Sequence, residues 1–280
     1  MKVYSHTDLK AKSILQKIEN EVNVDQLGPS YWVFAQNSVP IGILGCAEEP
    51  GPLLASPGTP YAYVMWLDTS QPDETIESFI VQALSVVNRK NIKYATASFP
   101  FNEEETITQF KNAGFRELAD SCTMIKQLDE SLRLPEILQF EQIKRAEMAQ
   151  FVKSVRKFFQ DSPDTYLAEA LEHILELPAE FLNKVYDREK YYFAVRDGQK
   201  VGVLNFSTTS GRVSNMGVNP SERGKGYGRA ILLFILEQLR SSGCKQANLR
   251  VHAKNKPAIH LYKSLGFEQK ERHVTLIWRK

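Results

Sequence analysis

Arg223-Gly224-Lys225-Gly226-Tyr227-Gly228-Arg229 sets three glycines and three cations just ahead of an apolar run, Ile231 to Leu239. A strand-like segment, Arg212 to Val218, precedes it and ends at Asn219-Pro220. Strand, glycine turn and helix in that order aim backbone N–H groups and the positive end of a helix dipole at an anion. Glycine suits such a turn because a Cβ would hold a phosphate away from the main chain. On stability grounds alone it is a poor choice, since a glycine inside a helix costs about 1 kcal/mol against alanine. The chemistry these residues suggest is phosphate binding. Two familiar phosphate loops do not fit. A P-loop needs Ser or Thr after Gly-Lys, and here Gly226 follows Gly224-Lys225. The dinucleotide fingerprint needs G-x-G-x-x-G and an acid about 20 residues on. This turn reads G-x-G-x-G, and Asn248 stands at that distance.

What fits is Arg-x-x-Gly-x-Gly, supplied by Arg223, Gly226 and Gly228. A second pattern follows about 30 residues on: Leu249 to Asn255, then Pro257 to Tyr262, closed by Gly266-Phe267. A strand ending in Asn, a short helix carrying Tyr and a final Gly-Phe complete a two-part signature. Together they resemble the GNAT superfamily of acyl-CoA-dependent N-acyltransferases.

The resemblance implies acetyl-CoA as the acyl donor and no metal. It implies that Met216, Gly217 and Val218 pair their strand edge with the pantetheine amides. The amides of Gly224, Lys225, Gly226, Tyr227, Gly228 and Arg229 would face the pyrophosphate, with the Arg223, Lys225 and Arg229 side chains adding charge. Tyr262 would protonate the leaving thiolate, and Asn255 would hold the pantetheine or order water. Read from its neighbours alone, Asn255 is equally a helix cap ahead of Pro257. The base that frees the amine stays open between His252, Glu222 and water, with His173 a weaker candidate.

The elements that must position these residues recur along the chain. The first half reads as a helix from about Thr7 to Glu21, then a hairpin of Tyr31 to Ala35 and Ile41 to Leu44. A strand (Tyr61 to Leu67) follows, then a helix with Ile76, Phe79, Ile80, Ala83, Leu84 and Val87 at helical spacing. Lys93 to Ser98 is a strand, and a short helix ends at Gly114-Phe115. The second half opens with helices at Glu141 to Phe159 and Thr165 to Tyr186 and then repeats the order. Ile41-Gly42 recurs as Val201-Gly202, 160 positions on, and Gly114-Phe115 as Gly266-Phe267, 152 positions on. Near-constant offsets indicate an internal duplication. The expected fold is α+β: two tandem GNAT-like domains, each a twisted, mostly antiparallel sheet flanked by helices. The boundary falls at residues 1–130 and 131–280, with a joint near Asp129 to Pro135.

The copies differ where the chemistry belongs. Where the second has its glycine turn, the first has Asp68-Thr69-Ser70-Gln71-Pro72-Asp73-Glu74, with no glycine and three carboxylates. Such charges repel a pyrophosphate by about 1 kcal/mol or more per close pair even in water-like surroundings. Phe110 stands where the second copy has Tyr262. The first domain is expected to be a degenerate copy that does not bind acyl-CoA.

Composition bounds the rest. The chain has 280 residues, 42% hydrophobic and 24% charged, with a formal net charge of +2. That balance and the absence of a basic cluster argue against a nucleic-acid partner. Cys46, Cys122 and Cys244 are too few and too scattered for a disulfide framework or zinc site. A polar N-terminus and no long apolar stretch argue against a signal peptide or a membrane partner, so a cytoplasmic protein is expected. The reading is an N-acetyltransferase acting on a primary amine, in all expectation a small molecule. A non-catalytic acyl-CoA sensor and a longer acyl-CoA donor stand as alternatives. The acceptor's identity and a choice between monomer and homodimer are not written in the sequence.

Overall fold

Strands form in this chain where apolar residues alternate, and helices where they recur every three or four positions. A computed structural model describes residues 1–22, 29–49, 51, 54–129, 135–173 and 177–280. The first half contains β1 (Lys2–Ser5), α1 (Leu9–Leu15), β2 (Ser30–Gln36), β3 (Val39–Glu48), β4 (Pro60–Leu67), α2 (Asp73–Arg89), β5 (Tyr94–Pro100), α3 (Glu104–Asn112) and β6 (Arg116–Gln127). The second contains β7 (Gln139–Gln142), α4 (Met148–Phe159), α5 (Thr165–His173), α6 (Ala179–Tyr186), β8 (Lys190–Arg196), β9 (Gln199–Phe206) and β10 (Arg212–Val218). It closes with α7 (Tyr227–Ser241), β11 (Gln246–His252), α8 (Lys256–Ser264) and β12 (Glu268–Arg279). Among the described residues no helix is long and apolar enough to cross a membrane.

Three expected helices differ in the structure, and the one expected over 165–186 is divided, α6 starting afresh after Pro178, whose backbone is extended. Glu141 and Gln142, expected to open a helix, belong instead to β7, because its backbone pairs with β8 and Ile143 N–H donates to the Tyr191 carbonyl. The helix expected over 7–21 is α-helical only from Leu9 to Leu15 and tightens into a 3₁₀ turn at Gln16–Ile18. Most of the expected joint, residues 130–134, lies outside the described residues, as do 174–176 within the expected helix over 165–186.

The chain divides into two compact units, and they are not the two repeats. One comprises Met1–Pro50, Leu54–Ala119 and His273–Lys280; the other comprises Gly51–Leu53 and Asp120–Arg272. In the first unit, β1 to β3 are antiparallel neighbours, β3 pairs β4, and β4 runs parallel to β5. Its last strand is the end of the chain: β12 pairs β5 from His273↔Pro100 to Arg279↔Tyr94. In the second unit, β7 to β10 are antiparallel in order and β10 runs parallel to β11. Its last strand comes from the first repeat: β6 pairs β11 from Gln246↔Gln127 to His252↔Ser121. Each repeat has given its closing strand to the other unit's sheet, in the same register. The boundary at 130/131 follows the repeat in sequence and would leave each unit without that strand.

The duplication is visible in backbone detail. The β2–β3 ladder shifts between Phe34 and Ala35, the β8–β9 ladder between Ala194 and Val195. Both hairpin turns take positive φ, at Asn37 and Ser38 and at Asp197 and Gly198. A Cβ on Gly42 would sit 2.5 Å from the Phe79 ring of α2, and one on Gly202 would sit 2.6 Å from Ile231 Cδ1 of α7. In both units the strand lacks a side chain where the long helix crosses it. Helix α7 buries Ile231, Leu232, Ile235, Leu236 and Leu239 against Leu249, Val251, Met124 and Cys122. The borrowed strand is thus part of the second unit's core.

Asp120 and Arg272, at the two edges of that unit's chain, form a two-pronged ion pair at 2.8 and 2.6 Å. The Arg272 bonds outweigh burial and hold the Asp120 carboxyl below its usual range. Because the folded value is depressed, this contribution to stability is present above about pH 4 and is lost as pH falls below it. Acid unfolding of Asp120→Asn should start from a less stable protein and show a weaker pH dependence in that range. A second measurement tests the exchanged strand. A fragment of residues 131–280 should show no cooperative urea transition, while 116–272 should show one; a cooperative 131–280 fragment would contradict the assignment of β6 to this core.

Candidate functional site

Strands β10 and β11 pair at only two positions, Arg212↔Asn248 and Val213↔Leu249. Beyond Val213 the strand is shifted by a bulge against β9, and its remaining residues run to the glycine turn without a partner on the β11 side. A cavity of about 510 Å³ lies there. Met216, Gly217 and Val218 of β10 line it, as do Arg223, Gly224, Gly226, Tyr227 and Gly228 of the turn. Asn255, Ala258 and Leu261 close it on the α8 side, and Phe158, Phe159, Asp161, Ser162 and Pro163 on the α4 side.

Nine of the eleven expected ligand-binding residues therefore share one wall. Lys225 and Arg229 are not part of it: Lys225 Nζ donates to Glu222 at 2.9 Å, and Arg229 reaches Ser264 Oγ at 3.3 Å. Arg223 lines the cavity, but its guanidinium is engaged by acceptors of the protein itself. It donates to Asp161, to the Phe158 carbonyl at 2.9 Å and to the Val218 carbonyl at 3.3 Å. What faces the opening is backbone. Gly224 and Gly226 both have φ of +80°, and a Cβ on either would meet nothing within 4 Å. Gly226 is the N-cap of α7, no side chain caps it, and no acid sits in the first turn. An uncapped helix N-terminus under open space is suited to a phosphate. The glycines thus serve two ends, conformation and access.

Tyr262 sits on α8 one turn beyond Ala258, on the same helix face. It is 8% exposed, packs against Phe267 with ring centroids 5.8 Å apart, and is not part of the cavity wall. Its hydroxyl has no hydrogen-bond partner among the described residues. Burial pushes its pKa up to about 12, so the phenol stays protonated at neutral pH. Asn255 does cap α8, its Oδ1 accepting from Ala258 N–H at 3.3 Å, and it also lines the cavity. Of the candidate bases, His252 is buried, accepts the Lys254 N–H at 3.2 Å through Nδ1, and lies off the wall. Glu222 is on the wall but pairs with Lys225. His173, at the end of α5, is not on it.

The sequence reading singled out no individual residue on the α4 side. A Cβ on Gly217 would lie 2.4 Å from Cε2 of Phe159, so the ring rests on the strand backbone. The one signal available was Gly217 itself, a glycine inside a strand, which often marks a close approach.

In the first unit, the matching turn is closed by its own side chains. Asp68 accepts from Ser70 Oγ at 2.6 Å and Gln71 Nε2 at 2.7 Å, and these bonds outweigh burial to lower its pKa. Asp73 and Glu74 occupy the first turn of α2. Carboxylates stand where the second unit offers amides.

Two glycine substitutions separate the roles. Gly226→Ala meets no atom and should cost about 1–2 kcal/mol from its left-handed backbone alone. Gly217→Ala forces its Cβ into the Phe159 ring and should cost about 1–3 kcal/mol as overpacking. Urea unfolding of both variants reads these values; a neutral Gly217→Ala would mean the ring is not held on the strand.

Comparison with known proteins follows the same residues. The model of the acetyltransferase (GNAT) family matches residues 149–267. A mycothiol acetyltransferase of Thermomonospora curvata is 39% identical over 88 residues, which is 29% of this chain and 29% of that protein. One of Thermobispora bispora is 51% identical over 57 residues, 20% of this chain and 19% of its own. The chain spans less than a third of the length of these relatives. A GCN5-related N-acetyltransferase of Sphaerobacter thermophilus superposes with a TM-score of 0.62 at 16% identity, over 96% of this chain and 85% of that one. A tandem GNAT protein from the clavulanic acid biosynthesis pathway gives 0.54 at 16% identity, over 89% and 82%. At such identities these structures show a shared fold. Residues 149–267, less than half of the chain, carry the likeness to the acetyltransferase (GNAT) family, and the solved structures share the fold.

Proposed function

We propose that this protein is an N-acetyltransferase that moves an acetyl group from acetyl-CoA to a primary amine of a small-molecule acceptor. The observation that carries this reading is the uncapped N-terminus of α7, whose Gly224 and Gly226 leave open space above the main chain on the cavity wall. A diphosphate placed there accepts from amides and gains from the helix dipole. The free edge of Met216-Gly217-Val218 is then available to pantetheine amides, in the manner of an added strand. Relatives named for mycothiol acetylation favour a small acceptor over a protein.

The reaction needs few groups. The amine nitrogen attacks the thioester carbon, the carbonyl reforms, and the C–S bond breaks to leave a thiolate. Amides of β10 can polarise the carbonyl oxygen. The thiolate takes its proton from the Tyr262 hydroxyl, the amine gives its proton to water, and the Tyr262 phenolate is reprotonated from water before the next turnover. A thiolate whose thiol has a pKa near 8.5 is a weaker base than the phenolate of a buried tyrosine, so this proton transfer runs uphill and accompanies the breaking of the C–S bond.

The first unit serves this reading as scaffold, since its own turn is occupied by Asp68, Asp73 and Glu74. A non-catalytic acyl-CoA sensor is the competing reading, favoured by the position of Tyr262 off the cavity wall. Calorimetry with acetyl-CoA should show one site per chain, abolished by Gly226→Glu, which sets a carboxylate at the helix N-terminus. Two sites would assign a ligand to the first unit. Tyr262→Phe should bind acetyl-CoA as the native protein does and release free thiol, with an amine library present, about 10²- to 10⁴-fold more slowly. Equal loss of binding and rate would make Tyr262 structural, and binding without thiol release in the native protein would favour the sensor.

A further inference from the structure

The Arg223 guanidinium joins three segments around the cavity. It forms a two-pronged pair with Asp161, one contact at 2.9 Å and the other shorter. It donates to the Phe158 carbonyl at 2.9 Å, among the last of α4, and to the Val218 carbonyl at the end of β10 at 3.3 Å. Carbonyls in the last turn of a helix lack helical partners, so a cation there satisfies one and complements the dipole. On the other side of the same junction, the Phe159 ring lies on Gly217. The end of α4 is thus fastened to β10 twice, by a planar fork and by a ring on a glycine. Phe158, Phe159, Asp161, Ser162 and Pro163 form the helical wall of the cavity.

A guanidinium so committed has little left to give a phosphate. Its fork geometry suits carboxylate and carbonyl acceptors at once, which an ammonium on a flexible stem would not match. The side chains of Arg223 and Asp161 are 44% and 51% exposed. Exposed pairs add little to global stability. The effect belongs to the local order of one wall.

We propose that Arg223 is a positioning residue that works through Asp161, latching the end of α4 and the turn after it onto the glycine turn, while backbone amides alone meet the diphosphate of CoA. This rests on the reading of the cavity as the acyl-CoA site, and the test keeps the two apart. Hydrogen exchange of the peptide covering 158–173 is measured in the ligand-free protein, and affinity is measured by calorimetry with free coenzyme A. Asp161→Asn and Arg223→Gln should each speed exchange of that peptide by about five-fold, the effect of losing one such pair. The double variant should be no faster than either, because both remove the same contact. The swapped pair, Arg223→Asp with Asp161→Arg, should recover part of the protection. Any loss of coenzyme A affinity should be similar in Arg223→Gln and Asp161→Asn, because both loosen the same wall of the cavity. Exchange unchanged in both single variants would overturn the latch. So would a loss of ten-fold or more in affinity for Arg223→Gln combined with a gain for Asp161→Asn, the result expected of a phosphate ligand freed from a competitor. If the native protein binds no coenzyme A, the acyl-CoA reading fails while the exchange data still decide the latch.

Discussion

Parallel pairing between β10 and β11 stops after two residues, and the candidate site follows from that limit. A fully paired β10 would spend its backbone groups on the ladder and leave no gap between the strands. Here the bulge after Val213 turns the strand, and Met216 to Val218 keep an edge that no β11 residue uses. Bulges commonly end pairing beside functional sites. The same short parallel pairing holds in the first unit, where β4 meets β5 only from Tyr61 to Tyr63. What separates the copies is the turn that follows, amides under open space in one and carboxylates in the other.

The exchange of closing strands sets how the frame is held. β6 supplies Cys122 and Met124 to the core beneath α7, and β12 supplies Val274 and Leu276 to the core beneath α2. Identical register in both pairings is what a duplication allows, because equivalent strands present equivalent edges to equivalent partners. The two repeats became mutually dependent without any new kind of contact. The second sheet draws its closing strand from the first repeat, and the first sheet from the second.

Charge around the cavity is arranged differently from what its composition suggests. Arg223, Lys225 and Arg229 look in sequence like a cluster waiting for phosphate. In the structure each already has an acceptor, Asp161, Glu222 and Ser264. Long cationic side chains find local carboxylates readily, and such pairs hold loops even where they add little to overall stability. Fixed amides at a helix N-terminus need no rearrangement to meet an anion.

The sequence by itself determined the local elements and the residue types of the site. The glycine turn, the Asn before α8, the Tyr on it and the repeat offset depend on backbone propensity and short-range spacing, which a linear reading can see. So does the carboxylate-filled turn of the first copy, capped by its own neighbours. What only the tertiary structure decided were the partners. Nothing in the spacing says that residues 121–127 pair with 246–252, that Phe159 lies on Gly217, or that Arg223 bonds to the end of α4. Strand pairing is satisfied by any edge of suitable register, and a long cationic side chain by any acceptor within reach. Those choices are made by which surfaces the whole fold brings together, at separations far beyond the reach of local preference.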